Sequence, residues 1–163
     1  MDKFFGDRKD DYLKMHFEDA AIFVPYGCMV DEFQHIVYAN PDMTPQDRKD
    51  AWAKLEKEYR PHLDYEDDPF FANGGYWQRQ SHIFQSPFYY IDYVLASICA
   101  MQYKVQMDEN FDVAWNNYLK LCKLSAKDFY VNVIREAGLN SPFEDGCMEE
   151  LVGKLEKKVK FDD

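Results

Sequence analysis

The stretch GGYWQRQSHIFQSPFYYIDYVLASICA, residues 74–100, decides the fold that the sequence predicts. Ser86 and Pro87 form a helix-start signal, because a serine side chain can cap the first turn and the proline ring already holds a helical φ. We predict that this helix runs from Pro87 to about Met107. Apolar residues recur at helical spacing on both of its faces, which is typical of a helix buried in the middle of a helical domain. One face carries Ile91, Val94, Leu95, Ile98 and Val105, and the other carries Tyr89, Tyr93, Ala96 and Ala100.

Polar groups that can take part in chemistry lie within the same stretch. Tyr89, Tyr90 and Tyr93 follow shortly after His82. One interpretation is a core helix whose tyrosine hydroxyls are hydrogen-bonded inside the protein, and the pattern alone favours it. The other is that these side chains face a cleft, where imidazole and phenol groups donate hydrogen bonds to a peptide carbonyl or to a developing oxyanion.

Charge and composition exclude several classes of protein. The chain carries a formal net charge of −11, whereas binding of nucleic acid or of an anionic membrane surface requires a basic face. We find no apolar run long enough to span a membrane, and the first residues lack the apolar segment of a signal peptide. The cysteines are scattered without metal-ligand spacing, so we expect reduced thiols and a cytoplasmic location. They are Cys28, Cys99, Cys122 and Cys147.

The rest of the chain also shows helical periodicity. Pro25 is expected to end or kink a first helix, so that a second one begins after it. Thr44 and Pro45 predict the start of a third helix, as its cap and its first residue. Ser125 is predicted to cap a later helix that Gly138 terminates. We therefore predict an all-α fold of about seven or eight helices, arranged as a single helical domain over residues 1–163. The predicted helices cover about residues 10–24, 26–38, 45–59, 76–85, 87–107, 111–122, 126–137 and 147–158, with Phe129, Val133 and Ala137 directed inward.

One segment superficially resembles a metal motif. Residues 31–35, DEFQH, are similar to HExxH, which places two zinc-binding histidines one helical turn apart. Asp31 replaces the first histidine, so Asp31 and His35 could share a helix face and bind a metal. No third ligand at a useful spacing is apparent, and a pair on the surface of a helix is the preferred interpretation. His16 and His62 are isolated, and we expect each to be a surface or capping residue.

Long and specific strings run through most of the chain: FVPYGCMVDEFQHIVYANPDMTPQDRKDAW (23–52), GGYWQRQSHIFQSPFYYIDYVLASICA (74–100), WNNYLKLCKLSAKDF (115–129) and AGLNSPFEDG (137–146). They resemble the C-terminal portion of the oligoendopeptidase F group of thimet-oligopeptidase-like zinc metallopeptidases. The resemblance implies that this chain is the C-terminal part of a helical, zincin-like catalytic domain. A deep channel in that domain admits short, unstructured peptides.

The resemblance also implies roles for the residues singled out above. In that family zinc is held by the two histidines of HExxH and a downstream glutamate, and the motif glutamate activates the zinc-bound water. The segment from His82 to Tyr93 is implied to line the channel opposite the metal. His82 and Tyr93 are the implied catalytic groups that stabilise the tetrahedral intermediate, while His82, Tyr89 and Tyr90 are implied to bind substrate. The spacing differs from the thimet branch, so the role of each tyrosine stays open.

This chain departs from the family in one large respect, because HExxH and the glutamate segment are missing from it. We expect zinc in the complete family enzyme and none bound by this chain alone, so the chain alone is expected to be inactive. It is then a fragment, a truncated gene product or one half of a split enzyme. The expected partners are short peptide substrates and the missing N-terminal part that carries HExxH. The alternative function is a non-catalytic helical module that binds peptides or self-associates through an uncovered inner face.

Overall fold

The computed structural model describes residues 2–156, which form helices joined by loops. These residues contain no strand, which confirms the predicted all-α fold. None of the described helices has the length and hydropathy needed to cross a membrane. The last predicted helix is described as far as Glu156, and its positions 157 and 158 lie outside the described residues. The described α-helices are α1 (Asp2–Phe5), α2 (Lys9–Ala39), α3 (Pro45–Tyr59), α4 (Pro69–Ala72), α5 (Ser81–Gln85), α6 (Ile91–Glu109), α7 (Phe111–Leu124), α8 (Tyr130–Glu136) and α9 (Cys147–Glu156), with 3-10 helices at Gly6–Arg8 and Gly75–Arg79.

The chain divides into two compact units, and the boundary between Val94 and Leu95 falls inside α6. The first unit contains α2, α3, α5 and all of the predicted site residues. The second unit contains α7, α8 and α9. A single domain over residues 1–163 remains a prediction.

Pro25 lies inside α2 and does not end it, so the predicted division into two helices is wrong. The proline ring removes one N–H donor, whose partner in the helix would be the carbonyl of residue 21. Ala21 is exposed, and water can bond to that carbonyl. Packing holds the helix beyond the proline, because Met29, Val30 and Phe33 are fully buried.

The core of the first unit forms where α2 packs on α3. The rings of Phe33 and Trp52 meet edge to face at 5.1 Å, and both side chains are fully buried. Gly27 allows the first turn of α6 to approach α2 closely, since a Cβ at residue 27 would lie 2.2 Å from Val94 Cγ2. The first turn of α6, which carries Tyr93, is therefore held directly against α2.

α3 begins at Thr44 and Pro45 as predicted. The Thr44 N–H donates to Asp47 Oδ2 at 2.8 Å, and the Asp47 N–H donates to Thr44 Oγ1 at 3.2 Å. This reciprocal pair is a capping box, which satisfies two N–H groups that the first turn of a helix leaves free. The hydrogen bonds from Thr44 hold the pKa of the Asp47 carboxyl below its usual range.

α6 begins at Ile91, so the predicted start at Ser86 and Pro87 is wrong. Ser86 instead follows the last turn of α5. Phe88 has a left-handed backbone with φ of +61°, which interrupts a helical path through this segment. The Phe88 N–H donates to Gln34 Oε1 at 2.8 Å, and Gln34 is fully buried on α2. The turn at Phe88 is thus hydrogen-bonded to a residue far away in the sequence. The helix-start signal at Ser86 and Pro87 was local and did not reflect that bond.

The helix predicted over residues 76–85 is two shorter pieces, the 3-10 helix Gly75–Arg79 and α5. Gln80 separates them with an extended backbone of φ −81° and ψ 92°. Trp77 and Ile83 are buried, one in each piece, so both pieces are anchored in the core of the first unit. The extended backbone at Gln80 interrupts the helical path, and Trp77 and Ile83 both reach the core.

The start of α8 differs from the prediction, and its end agrees with it. Ser125 follows the end of α7 instead of capping α8, which begins at Tyr130. Phe129 is 82% exposed, so its predicted inward position is wrong. Ala137 is fully buried and Gly138 has φ of +78°, as expected for a glycine that terminates a helix. Tyr130 takes the inward position and packs against the buried cluster of Cys99, Tyr103, Ile134 and Leu139.

The hydrogen bond from the Tyr59 hydroxyl to Glu32 Oε2 predicts a loss of stability at alkaline pH. This bond raises the pKa of Tyr59 to about 12. The unfolded chain loses the same proton near pH 10, so the contribution to the free energy of unfolding is complete below about pH 10 and is lost between about pH 10 and 12. We expect Tyr59→Phe to flatten this part of the curve of unfolding free energy against pH. A slope equal to that of the wild type would show that the bond does not contribute.

Candidate functional site

The predicted site residues come together at the end of α5 and the start of α6. His82 lies in α5, while Tyr89 and Tyr90 lie in the turn that follows and Tyr93 lies in the first turn of α6. The His82 ring centroid is 5.0 Å from that of Tyr90, 5.7 Å from that of Tyr93 and 6.4 Å from that of Tyr89. We call these four residues the His82 cluster. The structure therefore assembles every residue that the sequence singled out for this site.

The His82 cluster reaches the surface of the first unit. Tyr89 is 46% exposed and Tyr93 is 38% exposed, while His82 and Tyr90 are half-buried. Val94 is buried at 1% exposure, so the first turn of α6 has one buried side and one open side. The prediction of a helix buried on both faces is wrong here, because the tyrosine face is left open. Ala96 and Ala100 on that face are exposed as well.

Tyr90 and Tyr93 of the His82 cluster are protonated at neutral pH. Burial raises the pKa of Tyr90, and a hydrogen bond with Tyr89 is the main cause of the raised pKa of Tyr93. Because a phenol in water already titrates at about pH 10, both hydroxyls keep their protons throughout the neutral range. Neutral phenols can donate hydrogen bonds to a carbonyl oxygen or an oxyanion.

Two side chains that the sequence analysis did not select hold the His82 ring. Gln80 Nε2 lies 2.7 Å from His82 Nδ1, and the Tyr26 hydroxyl donates to Gln80 Oε1 at 2.8 Å. Gln80 stands two residues before His82, so its nearness in sequence was a usable signal. Tyr26 comes from α2 and has no local signal, since only the tertiary fold brings it to Gln80.

Asp31 and His35 form the predicted pair on the surface of α2. His35 Nε2 lies 3.4 Å from Asp31 Oδ2, and the His35 side chain is 68% exposed. The His35 ring also packs against Phe88, with the ring centroids 4.8 Å apart. Between residues 2 and 156, no group of three or more His, Cys, Asp or Glu side chains is arranged to hold a metal ion. The described residues therefore do not fit a zinc centre.

A cavity of about 410 Å³ lies apart from the His82 cluster, beside the C-terminal end of α3. Glu56, Arg60 and Tyr65 are among the side chains that line it, and no member of the His82 cluster does. The Tyr65 hydroxyl donates to Glu56, and the Arg60 guanidinium stands 5.0 Å from the centre of the Tyr26 ring. Since no residue of the His82 cluster lines this cavity, the cavity is not the site that the sequence predicted.

Comparison with known proteins gives matches among solved structures. No family model and no curated protein matches the chain. A 3.1 Å crystal structure of an oligoendopeptidase F aligns with a TM-score of 0.95 and 46% identity, covering 100% of this chain and 29% of that chain. PZ peptidase A with an inhibitor aligns with a TM-score of 0.93 and 47% identity, covering 97% of this chain and 28% of that chain. An oligoendopeptidase F from Bacillus anthracis str. Ames aligns with a TM-score of 0.79 and 37% identity, covering 97% of this chain and 25% of that chain.

The matches cover 97–100% of this chain but only a small part of each relative. This chain spans 25–29% of the length of the structures that it matches. Identity of 37–47% over nearly the whole chain, together with the helical architecture, identifies the family. The chain belongs to the oligoendopeptidase F family, and its share of those chains is consistent with the C-terminal portion predicted from the sequence.

Proposed function

We propose that this chain is the C-terminal part of a zinc-dependent oligoendopeptidase, in which it forms the wall of the active site that binds short peptides. The His82 cluster is the observation that carries the proposal. It holds three phenol rings whose centroids lie within 6.4 Å of the centroid of the His82 imidazole, on a side of the first unit that is open to solvent. The relatives support it as well, because they are described as peptidases and one of them contains an inhibitor.

The chemistry assigned to the cluster is hydrogen-bond donation to the substrate. When water adds to a peptide carbonyl, the carbonyl oxygen becomes an oxyanion that needs donors in fixed positions. His82 and Tyr93 are proposed as these catalytic donors, since the imidazole is half-buried and held from behind while the phenol keeps its proton. Tyr89 and Tyr90 flank them and are proposed to bind the peptide backbone or side chains.

The metal and the general base are proposed to belong to a part of the enzyme outside this chain. The described residues do not fit a zinc centre, so no step of the reaction is assigned to a metal on this chain. In zinc peptidases the metal supplies an activated water. The N-terminal part bearing HExxH is proposed to hold it, and the role of this chain is to bind and orient the peptide and to donate hydrogen bonds.

The second unit offers a surface on which a missing part of the enzyme can dock. Exposed apolar side chains recur along α7 at helical spacing, and such a stripe on a protein surface is typical of a covered interface. The exposed fractions along the stripe are 60% for Phe111, 43% for Trp115, 39% for Tyr118 and 37% for Leu119.

We also propose a cytoplasmic location, because Cys99 and Cys147 are buried as free thiols in the second unit.

Peptide hydrolysis with and without the HExxH-bearing part tests the proposed function. A quenched fluorescent peptide and zinc are supplied to this chain alone and to the same chain joined to that part. We expect no turnover from the chain alone and chelator-sensitive turnover from the joined enzyme, because attack of water on an amide needs an activated water. Chelator-sensitive turnover by the chain alone would contradict the proposal.

The alternative is a helical module that binds peptides without chemistry or self-associates. Large exposed side chains outside the His82 cluster favour it, such as Phe84 at 58% and Phe143 at 69% exposure. The same experiment separates the two functions. The binding module retains affinity for the peptide but produces no turnover even when the HExxH-bearing part is joined to it.

A further inference from the structure

The His82 ring is connected to α2 by a chain of two hydrogen bonds. Gln80 Nε2 lies 2.7 Å from His82 Nδ1, and Gln80 Oε1 accepts the Tyr26 hydroxyl proton at 2.8 Å. Gln80 itself has little freedom, since its N–H donates to the Trp77 carbonyl at 3.0 Å and its carbonyl accepts from Ile83 at 3.1 Å. The Gln80 amide therefore joins His82 on α5 to Tyr26 on α2, while the Gln80 backbone is held in place.

The Tyr26 hydroxyl binds the oxygen end of the Gln80 amide, which is the end that faces away from the histidine. Its ring is enclosed by Trp52, Tyr76 and Tyr90, each edge to face at 6.0–6.5 Å. Burial is the main reason that the pKa of Tyr26 is raised, so the hydroxyl keeps its proton and can donate. When it donates to Gln80 Oε1, the amide NH2 group is left to face the imidazole.

An amide NH2 group has no lone pair to offer, so the ring nitrogen that it meets must accept. A neutral imidazole carries one proton, and a nitrogen that accepts cannot hold it. His82 Nδ1 is then unprotonated and Nε2 carries the hydrogen. We propose that Gln80, oriented by Tyr26, is a positioning residue that fixes His82 as the Nε2–H tautomer. The Nε2–H group then points away from Gln80 and is available as a donor.

This inference rests on the proposed function, because the tautomer matters to catalysis only if His82 donates to a substrate oxygen. A histidine free to exchange tautomers would present a lone pair at Nε2 for part of the time, and a lone pair repels an oxyanion. Tyr26 and Gln80 would keep the proton on Nε2 before the substrate binds. Neither residue is proposed to contact the substrate.

The tautomer of His82 can be measured directly in this chain. Long-range proton–nitrogen correlation spectra of the 15N-labelled chain distinguish a protonated Nε2 from a protonated Nδ1. They are recorded at a pH at which the imidazole is neutral. The chain contains four histidines, and the signals lost in His82→Ala assign the ring. We expect a protonated Nε2 in the wild type. A protonated Nδ1 would overturn the inference, because it requires the opposite orientation of the Gln80 amide.

Gln80→Glu is the sharpest variant, since it keeps the length of the side chain and replaces the donor by a carboxylate. A carboxylate can only accept, so His82 must present Nδ1–H, and we expect the tautomer to reverse. A merely structural side chain at position 80 would not reverse it, and retention of Nε2–H in Gln80→Glu would overturn the inference. Tyr26→Phe is expected to reduce the share of the Nε2–H form, and Tyr38→Phe on the same helix is the matched control that should not.

Kinetics of the joined enzyme separate this inference from the proposed function. If both hold, Gln80→Glu lowers kcat by more than about tenfold, with a smaller change in KM, because a wrong tautomer removes a donor without removing the side chain. A reversed tautomer with unchanged kcat would leave the positioning role standing and overturn the catalytic role of His82. An unreversed tautomer would overturn the positioning role whatever the kinetics.

Discussion

Replacing His82 by alanine is expected to lower kcat of the joined enzyme by about 100- to 1,000-fold, the usual effect of removing one donor to an oxyanion. KM is expected to change much less. The oxyanion exists only in the transition state and the intermediate, so a donor aimed at it stabilises those species and not the bound substrate. The measurement is a steady-state assay with a quenched fluorescent peptide at saturating zinc.

The geometry of the His82 cluster sets the size of this effect. His82 is half-buried and its Nδ1 lies 2.7 Å from Gln80 Nε2, so alanine removes both the imidazole and the contact that holds it in place. The Tyr93 ring centroid lies 5.7 Å from that of His82, and we propose its hydroxyl as a second, separate donor. Tyr93→Phe should therefore also lower kcat. The factor is smaller than for His82→Ala if the hydroxyl of Tyr89 or Tyr90 donates in place of the Tyr93 hydroxyl.

His62→Ala is the matched control, because His62 is exposed and lies outside the cluster. It should leave both kcat and KM as they are in the wild type. A rise in KM with an unchanged kcat in His82→Ala would assign His82 to substrate binding alone. Circular dichroism of each variant shows whether the helices remain intact, so that loss of activity is not mistaken for loss of the fold.

The sequence predicted those parts of the fold that depend on local chemistry. The capping box at Thr44 and the terminating glycine at Gly138 were found because each acts within one helical turn. Pro25 was misread because the rule for proline is local, whereas α2 is held together by burial of residues further along the helix. Ser86 and Pro87 misled for a related reason, since the hydrogen bond from the Phe88 N–H to Gln34 crosses the fold.

The candidate site was predicted only in part. His82 and its tyrosines were singled out because their residue types can donate hydrogen bonds and because they stand close together in the sequence, and the family resemblance implied their roles. Periodicity alone did not predict that they are open to solvent, since it placed apolar residues on both faces of the helix. The cleft interpretation and the family resemblance did predict it. Tyr26 and Gly27 act through contacts with Gln80 and Val94, both more than fifty residues away. Contacts of that range have no signature in a single sequence.

Gly74→Ala is expected to have the largest effect on stability among the glycines of the first unit. Gly74 has φ of +74°, and a Cβ there would lie 2.0 Å from the Lys49 carbonyl oxygen and 3.1 Å from the Ala53 backbone N. These atoms belong to the backbone of α3, so no side-chain rotation can relieve the clash. α3 cannot move away cheaply either, because Trp52 is fully buried between these two contacts.

We expect Gly74→Ala to lower the free energy of unfolding by roughly 2–5 kcal/mol, the sum of left-handed strain and of forcing an atom into a packed region. Gly6→Ala is the matched control, since Gly6 also has a positive φ, +52°, but no atom lies within 4 Å of a Cβ there. It should show only the strain, about 1–2 kcal/mol or less. Urea denaturation followed by circular dichroism measures both variants, and equal losses would show that the close approach to α3 contributes nothing. Because Gly74 leads into the 3-10 helix before Gln80 and His82, a shift at this glycine should also lower kcat of the joined enzyme.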